Sequence, residues 1–127
     1  MWTLRKTFRF EAAHRLPQHD GKCARLHGHS WKGEVAVEGA SLGAGGSRAG
    51  MVIDYGDIKA VLAPLIDAYL DHHYLNESLR MENPTSEEVA RWLYEAVEPY
   101  LTGLHSVTIR ETCTSACTFE RRTDASH

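Results

Sequence analysis

Apolar and polar residues alternate from Trp2 to His14. Trp2, Leu4, Phe8, Phe10, Ala12 and His14 fall on one side, and Thr3, Arg5, Thr7, Arg9 and Glu11 on the other, with Lys6 interrupting the apolar side. A period of two rich in aromatic residues predicts a half-buried strand whose inner face ends at His14. The pattern returns from His27 to Val37: His27, His29, Trp31, Gly33, Val35 and Val37 share one face, and Lys32, Glu34 and Glu38 the other. Two histidines at i and i+2 on a strand point the same way, here in line with an apolar face. Between the two strands, residues 15–26 carry Pro17 and Asp20-Gly21 and read as a loop.

The period then changes. Residues 39–50 are too glycine-rich for a stable element and predict a mobile connection, followed by a short strand at Met51-Val52-Ile53. Asp54 is placed to cap a helix over 55–69, with Asp57 in its first turn and a stripe of Ile58, Val61, Leu62, Leu65, Ile66 and Tyr69. Pro64 inside that helix removes one hydrogen bond or kinks it. Thr85-Ser86-Glu87-Glu88 is a capping box, and Val89, Trp92, Leu93, Ala96, Val97 and Tyr100 form the stripe of a second helix. Residues 105–112 alternate as a strand, with a hairpin partner over Cys117 to Arg121. The order strand-strand-helix-helix-strand-strand predicts an α+β domain, one sheet with two helices on one face.

Composition narrows the functional classes. A chain of 127 residues and 14.2 kDa is expected to form a single domain over 1–127 with a real core. A net charge of −3 with basic residues scattered along the sequence argues against a nucleic-acid partner. No apolar run approaches the roughly 18 residues of a membrane helix, and Met1-Trp-Thr-Leu-Arg-Lys lacks an apolar signal core, so a cytoplasmic protein without a membrane partner is expected. Three cysteines, an odd number, exclude a complete disulfide framework.

The chemistry concentrates in His14, His27 and His29. Three imidazoles on inner strand faces can supply three neutral nitrogens and leave a position open, as a catalytic zinc site does. Zinc suits these ligands best, although iron, nickel and copper also accept imidazole. Cys23, beside Lys22 and Arg25, has the positive surroundings that favour a thiolate. It reads as a base or nucleophile beside the metal, as a fourth ligand, or as an incidental loop cysteine. Asp71-His72-His73 offers an aspartate-oriented imidazole if the helix end turns the pair together, or else a polar helix terminus. Glu111 either faces solvent or presents two oxygens to an amidine-like edge such as that of a pterin or guanine. Cys113 and Cys117 lack further ligands and are expected to pack. His19, His105 and His127 are expected to be structural or solvent-facing.

Five strings carry a resemblance: Phe10-Glu-Ala-Ala-His14-Arg-Leu, Cys23-Ala-Arg-Leu-His27-Gly-His29-Ser30, Leu70-Asp71-His72-His73-Tyr-Leu-Asn76, Asn83-Pro-Thr-Ser-Glu87 and Glu111-Thr-Cys-Thr. In this order they resemble the 6-pyruvoyl-tetrahydropterin synthase superfamily, and within it the bacterial 6-carboxy-tetrahydropterin synthase branch of the queuosine pathway. The resemblance implies the tunnelling fold (T-fold), with β-β-α-α-β-β protomers joined through their sheets into barrels, usually hexamers. It implies zinc held by His14, His27 and His29, a catalytic Cys23, and an acid–base pair of Asp71 and His72 often supplied by a neighbouring subunit. Glu111 matches the residue that anchors the pterin ring. The implied lyase reaction converts 7,8-dihydroneopterin triphosphate to 6-carboxy-5,6,7,8-tetrahydropterin, acetaldehyde and triphosphate. The sister pyruvoyl activity, which eliminates triphosphate without cutting the carbon chain, is the alternative. Ser30 stands where that sister branch commonly has asparagine. The chain departs mildly from its relatives at Ser115-Ala116 and Phe119.

Overall fold

A computed structural model describes residues 1–122, so His127 lies outside the described residues. Two long strands form as the alternation predicts: β1, Trp2–His14, and β2, His27–Gly39. They pair antiparallel along their whole length, from Trp2 opposite Gly39 to His14 opposite His27. Phe8 lies across from Gly33, where a Cβ would stand 2.1 Å from the Phe8 ring. Only glycine allows that ring to lie flat over the strand. Phe8 stacks on Phe10 and Phe10 on Trp31, with centroids 6.2 and 5.6 Å apart, so one aromatic run leads from the sheet's middle toward His14.

Helix α1 spans Tyr55–Leu65, capped by Asp54, whose carboxylate accepts the Gly56 N–H at 2.7 Å. The predicted helix to residue 69 continues as a π-helical turn, Ile66–Leu70. This turn begins two residues after Pro64, which lacks the N–H that a regular α-helical ladder uses. The two-residue strand β3, His73–Tyr74, and the short helix α2, Leu75–Ser78, were not expected from the pattern. Helix α3, Ser86–Val97, is capped by Thr85 as the capping box predicts, with Glu88 N–H donating to Thr85 Oγ1 at 3.2 Å. Strands β4, Leu104–Thr112, and β5, Ser115–Glu120, close the chain's described part as a hairpin.

Met51–Ile53 is not a strand. Met51 O accepts one backbone bond, from Gly43 N–H, and Val52 packs tightly against Gly39, so the apolar triplet is consumed in filling space beneath the end of β2. The preceding glycine-rich stretch folds back through a 3₁₀ turn at Gly46–Arg48 and a single bridge between Gly43 and Ala49.

The sheet runs β3-β1-β2-β4-β5, antiparallel except for the β1–β3 pair. Ile58 and Leu62 of α1 and Val89, Leu93 and Val97 of α3 pack against Phe10, Trp31, Val35, Val37, Val107 and Ile109 in one core. This is the α+β arrangement the pattern predicts. The opposite sheet face is polar. No helix among the described residues is long and apolar enough to cross a membrane.

Candidate metal centre and active site

The end of the sheet where β1 finishes and β2 begins gathers His14, His27, His29 and Glu111, whose ligand atoms lie within 4.8 Å of one another. Strand parity explains the convergence. His14 is the last inner-face residue of β1, and His27 and His29 are the first two of β2. Glu111 continues the inner face of Val107 and Ile109 on β4. Ring centroids are 4.5 Å apart for His14 and His27, 4.8 Å for His27 and His29, and 5.2 Å for His14 and His29.

Two of the rings are fixed from behind. His14 Nδ1 lies 2.9 Å from Pro84 O, and His27 Nδ1 lies 2.7 Å from Arg25 O. A carbonyl only accepts, so each Nδ1 carries the proton and each Nε2 turns a lone pair toward the others. The Nε2 atoms of His14, His27 and His29 are buried without a hydrogen-bond partner among the described residues. Glu111 Oε1 approaches His14 Nε2 at 2.8 Å and His29 Nε2 at 3.1 Å. With Nδ1 protonated, the His14 contact sets lone pair against lone pair, which becomes favourable only when a proton or metal cation stands between them. The three imidazole nitrogens therefore fit a divalent metal, with backbone carbonyls orienting His14 and His27 from behind and the Glu111 carboxylate standing alongside. Burial pushes the His29 imidazole down. This shift favours the neutral ring that ligates metals.

Asp71 and His72 do meet, at the end of the π-helical turn. Asp71 Oδ2 lies 2.9 Å from His72 Nδ1, while Asp71 Oδ1 accepts the Glu11 N–H at 2.9 Å. His72 N–H donates in turn to Glu11 O at 2.6 Å. The bond from Glu11 N–H, then that to His72, keeps the Asp71 carboxyl below its usual range and hence ionised. His72 has φ of 59°, a left-handed conformation that non-glycine residues rarely adopt. This backbone turn lets two adjacent residues face each other. His72 and His29 line the same open cleft, of about 550 Å³, together with Glu11 and Ser30.

Cys23 sits half-buried in a 3₁₀ turn, Lys22–Ala24, and its sulfur is outside the converging donor set. Asn76 is a residue whose part the sequence pattern did not reveal. Its side chain accepts the Arg15 N–H at 2.9 Å and donates to Arg15 O at 2.8 Å and Glu82 O at 3.1 Å. Arg15 Nε then donates to Ala24 O at 2.8 Å, so one amide anchors the start of the cysteine loop. Pro84 was likewise visible only as part of a motif; its carbonyl is what orients His14. The remaining groups are structural. His19 Nδ1 accepts the Gly21 N–H, and His105 lies between Glu38 and Glu120. Cys117 packs at the core's edge, where burial pushes its thiol up, whereas Cys113 is exposed in the hairpin turn and does not pack as expected.

Residues 3–122 match the sequence profile of the family described as 6-pyruvoyl tetrahydropterin synthase. The chain is 52% identical over 120 residues to the 6-carboxy-5,6,7,8-tetrahydropterin synthase of Synechocystis sp., covering 94% of this chain and 93% of that one. It is 29% identical to the protein of the same name from Haemophilus influenzae, covering 94% and 99% of the two chains. Among solved structures, the 6-pyruvoyl tetrahydropterin synthase of Caenorhabditis elegans superposes with a TM-score of 0.81 at 27% identity, over 95% of this chain and 96% of that one.

Proposed function

The chain belongs to the 6-pyruvoyl tetrahydropterin synthase family, and from that premise we propose that it is a zinc-dependent carbon–carbon lyase. Its substrate would be 7,8-dihydroneopterin triphosphate and its products 6-carboxy-5,6,7,8-tetrahydropterin, acetaldehyde and triphosphate, within queuosine and 7-deazapurine biosynthesis. The observation that carries this reading is the 52% identity to a synthase of that name along nearly the full length of both chains. The partnerless, converging imidazole nitrogens support the metal.

His14, His27 and His29 would hold the zinc ion. Bound there, zinc supplies Lewis acidity toward the hydroxylated side chain of the pterin. Glu111 presents two carboxylate oxygens to the amidine-like edge of the pterin ring. Cys23, as thiolate, removes a side-chain proton. His72, oriented and charge-stabilised by Asp71, returns protons to carbon or oxygen. Triphosphate leaves by elimination, and the carbon–carbon bond breaks in a retro-aldol-like step.

We read the enzyme as a cytoplasmic, single-domain protomer of a T-fold hexamer. Beyond the Ala12–Ala13 pairing with β3, the outer edge of β1 makes no ladder among the described residues, and β5 ends the sheet on the other side. Both edges are therefore open to strand pairing with other copies.

Incubation with 7,8-dihydroneopterin triphosphate, with and without a chelator, tests the activity. Acetaldehyde and triphosphate released in equal amounts, both lost on chelation, are expected. Triphosphate release without acetaldehyde would assign the sister pyruvoyl reaction instead.

A further inference from the structure

The parallel β1–β3 ladder ends where the chain turns from β3 into the short helix α2. Ala12 pairs with His73 and Ala13 with Tyr74. Two residues on, the same register sets Arg15 opposite Asn76, but the backbone of Asn76 is already helical. Its side chain takes over the pairing. Asn76 Oδ1 accepts the Arg15 N–H at 2.9 Å, and Nδ2 donates to Arg15 O at 2.8 Å. A carboxamide carries the same donor and acceptor as a peptide group, so it adds one rung after the backbone has left the ladder.

That rung fixes both sides of the setting of one imidazole. His14, fully buried, stands between Ala13, held by Tyr74, and Arg15, held by Asn76. Its ring is oriented from behind by Pro84 O at 2.9 Å. The Asn76 amide also donates to Glu82 O at 3.1 Å, two residues before Pro84. One side chain therefore ties the strand that carries His14 to the segment that carries the acceptor of its Nδ1 proton. The Arg15 N–H can only donate and the two carbonyls can only accept, so a single orientation of the amide satisfies all three.

The same stretch of β1 reaches the other candidate reacting groups. Arg15 Nε donates to Ala24 O and Leu16 N–H to Cys23 O, both at 2.8 Å. The turn that holds Cys23 thus hangs on the two residues after His14. On the other side, the Glu11 N–H donates to Asp71 Oδ1, and Glu11 O accepts the His72 N–H. Asp71, His72 and Cys23 are all attached to residues 11–16, and the Asn76 amide closes the ladder between the two groups of contacts. A network of this kind holds its members more firmly than its separate bonds would.

We propose that Asn76 is a positioning residue whose carboxamide serves as a strand peptide group and keeps His14, its Pro84 acceptor and the Cys23 turn in one register. It acts through Arg15 and Glu82, not on the metal or the substrate. What the positioned groups catalyse rests on the proposed function; their dependence on Asn76 does not.

Asn76→Asp tests the role, because a carboxylate keeps the size and the acceptor for the Arg15 N–H but turns lone pairs toward Arg15 O and Glu82 O. Asn76→Ala removes all three bonds. Ile58→Val, a buried truncation on α1, is the control for a general loss of stability. Two quantities are read on the zinc-loaded protein. One is zinc affinity, by competition with a chelator; the other is the iodoacetamide alkylation rate of Cys23 relative to the exposed Cys113 of the same molecule, resolved by peptide mass spectrometry. Both Asn76 variants are expected to bind zinc at least about tenfold more weakly. Their Cys23 should alkylate at least about threefold faster relative to Cys113, because the turn opens locally. At saturating zinc, kcat for acetaldehyde release should fall at least about tenfold with KM near the parent value, the signature of misplaced reacting groups. Ile58→Val should melt at a lower temperature and keep the parent zinc affinity and alkylation ratio. A folded Asn76→Asp protein with parent zinc affinity or a parent alkylation ratio overturns the proposal, as does an Ile58→Val protein that changes as the Asn76 variants do. A parent that releases no acetaldehyde, yet whose zinc affinity and Cys23 alkylation respond to Asn76, keeps the positioning role and loses the reaction.

Discussion

Two histidine settings on the same sheet differ in what their ring nitrogens meet. His105, on the sheet's far end, has a carboxylate on each side: Glu38 at 2.9 Å from Nδ1 and Glu120 at 3.1 Å from Nε2. It ties β2, β4 and β5 together and uses both nitrogens to do so. His14 and His27 meet a protein acceptor only at Nδ1, while their Nε2 atoms converge with that of His29 in a buried space without a hydrogen-bond partner among the described residues. A lone pair removed from water and left without a donor costs free energy. Two such lone pairs, converging with the buried and partnerless Nε2 of His29, mark a site made for a cation. Histidine content did not distinguish the two settings; the pairing of the second nitrogen did.

The largest effect should come from breaking the converging set. His27→Ala or His29→Ala is expected to abolish stoichiometric zinc and acetaldehyde formation together, read by elemental analysis and product assay, with the chain still folded by circular dichroism. Cys23→Ala and His72→Gln should separate chemistry from metal binding: kcat falls by about 10²- to 10⁴-fold while zinc content is unchanged. Zinc lost along with activity in Cys23→Ala would make that sulfur a ligand. Removing zinc from the parent with a chelator should lower its melting temperature, because a ligand bound only to the folded state stabilises it by about 4 kcal/mol at a thousandfold excess over Kd. His105→Gln should do least. It removes two partly exposed ion pairs worth about 1 kcal/mol or less each, and it should leave zinc content and kcat at parent values.

Sequence pattern carried the fold's frame because β1, β2, α1 and α3 each declare their period within one segment. Parity alone put His14, His27 and His29 on inner faces, since the side-chain period of a strand is fixed. What the pattern could not carry depends on contacts across segments. Glu111 could be placed on a strand, but its approach to His14 follows from the β2–β4 register. The apolar triplet Met51–Ile53 imitates a strand, yet its side chains fill space under Gly39. Strand β3 is too short for any period to show, and the Asp71–His72 contact needs a left-handed backbone at a residue other than glycine. Propensity argues against such a turn; the bond from His72 N–H to Glu11 O helps hold it.

The central claim is that His14, His27 and His29 bind a metal ion through Nε2. X-ray absorption at the zinc edge of the purified protein tests it most directly. The expected result is one zinc per chain with three imidazole nitrogens at about 2.0–2.1 Å and oxygen completing the shell. Absence of stoichiometric metal, or a sulfur scatterer at about 2.3 Å, would contradict it.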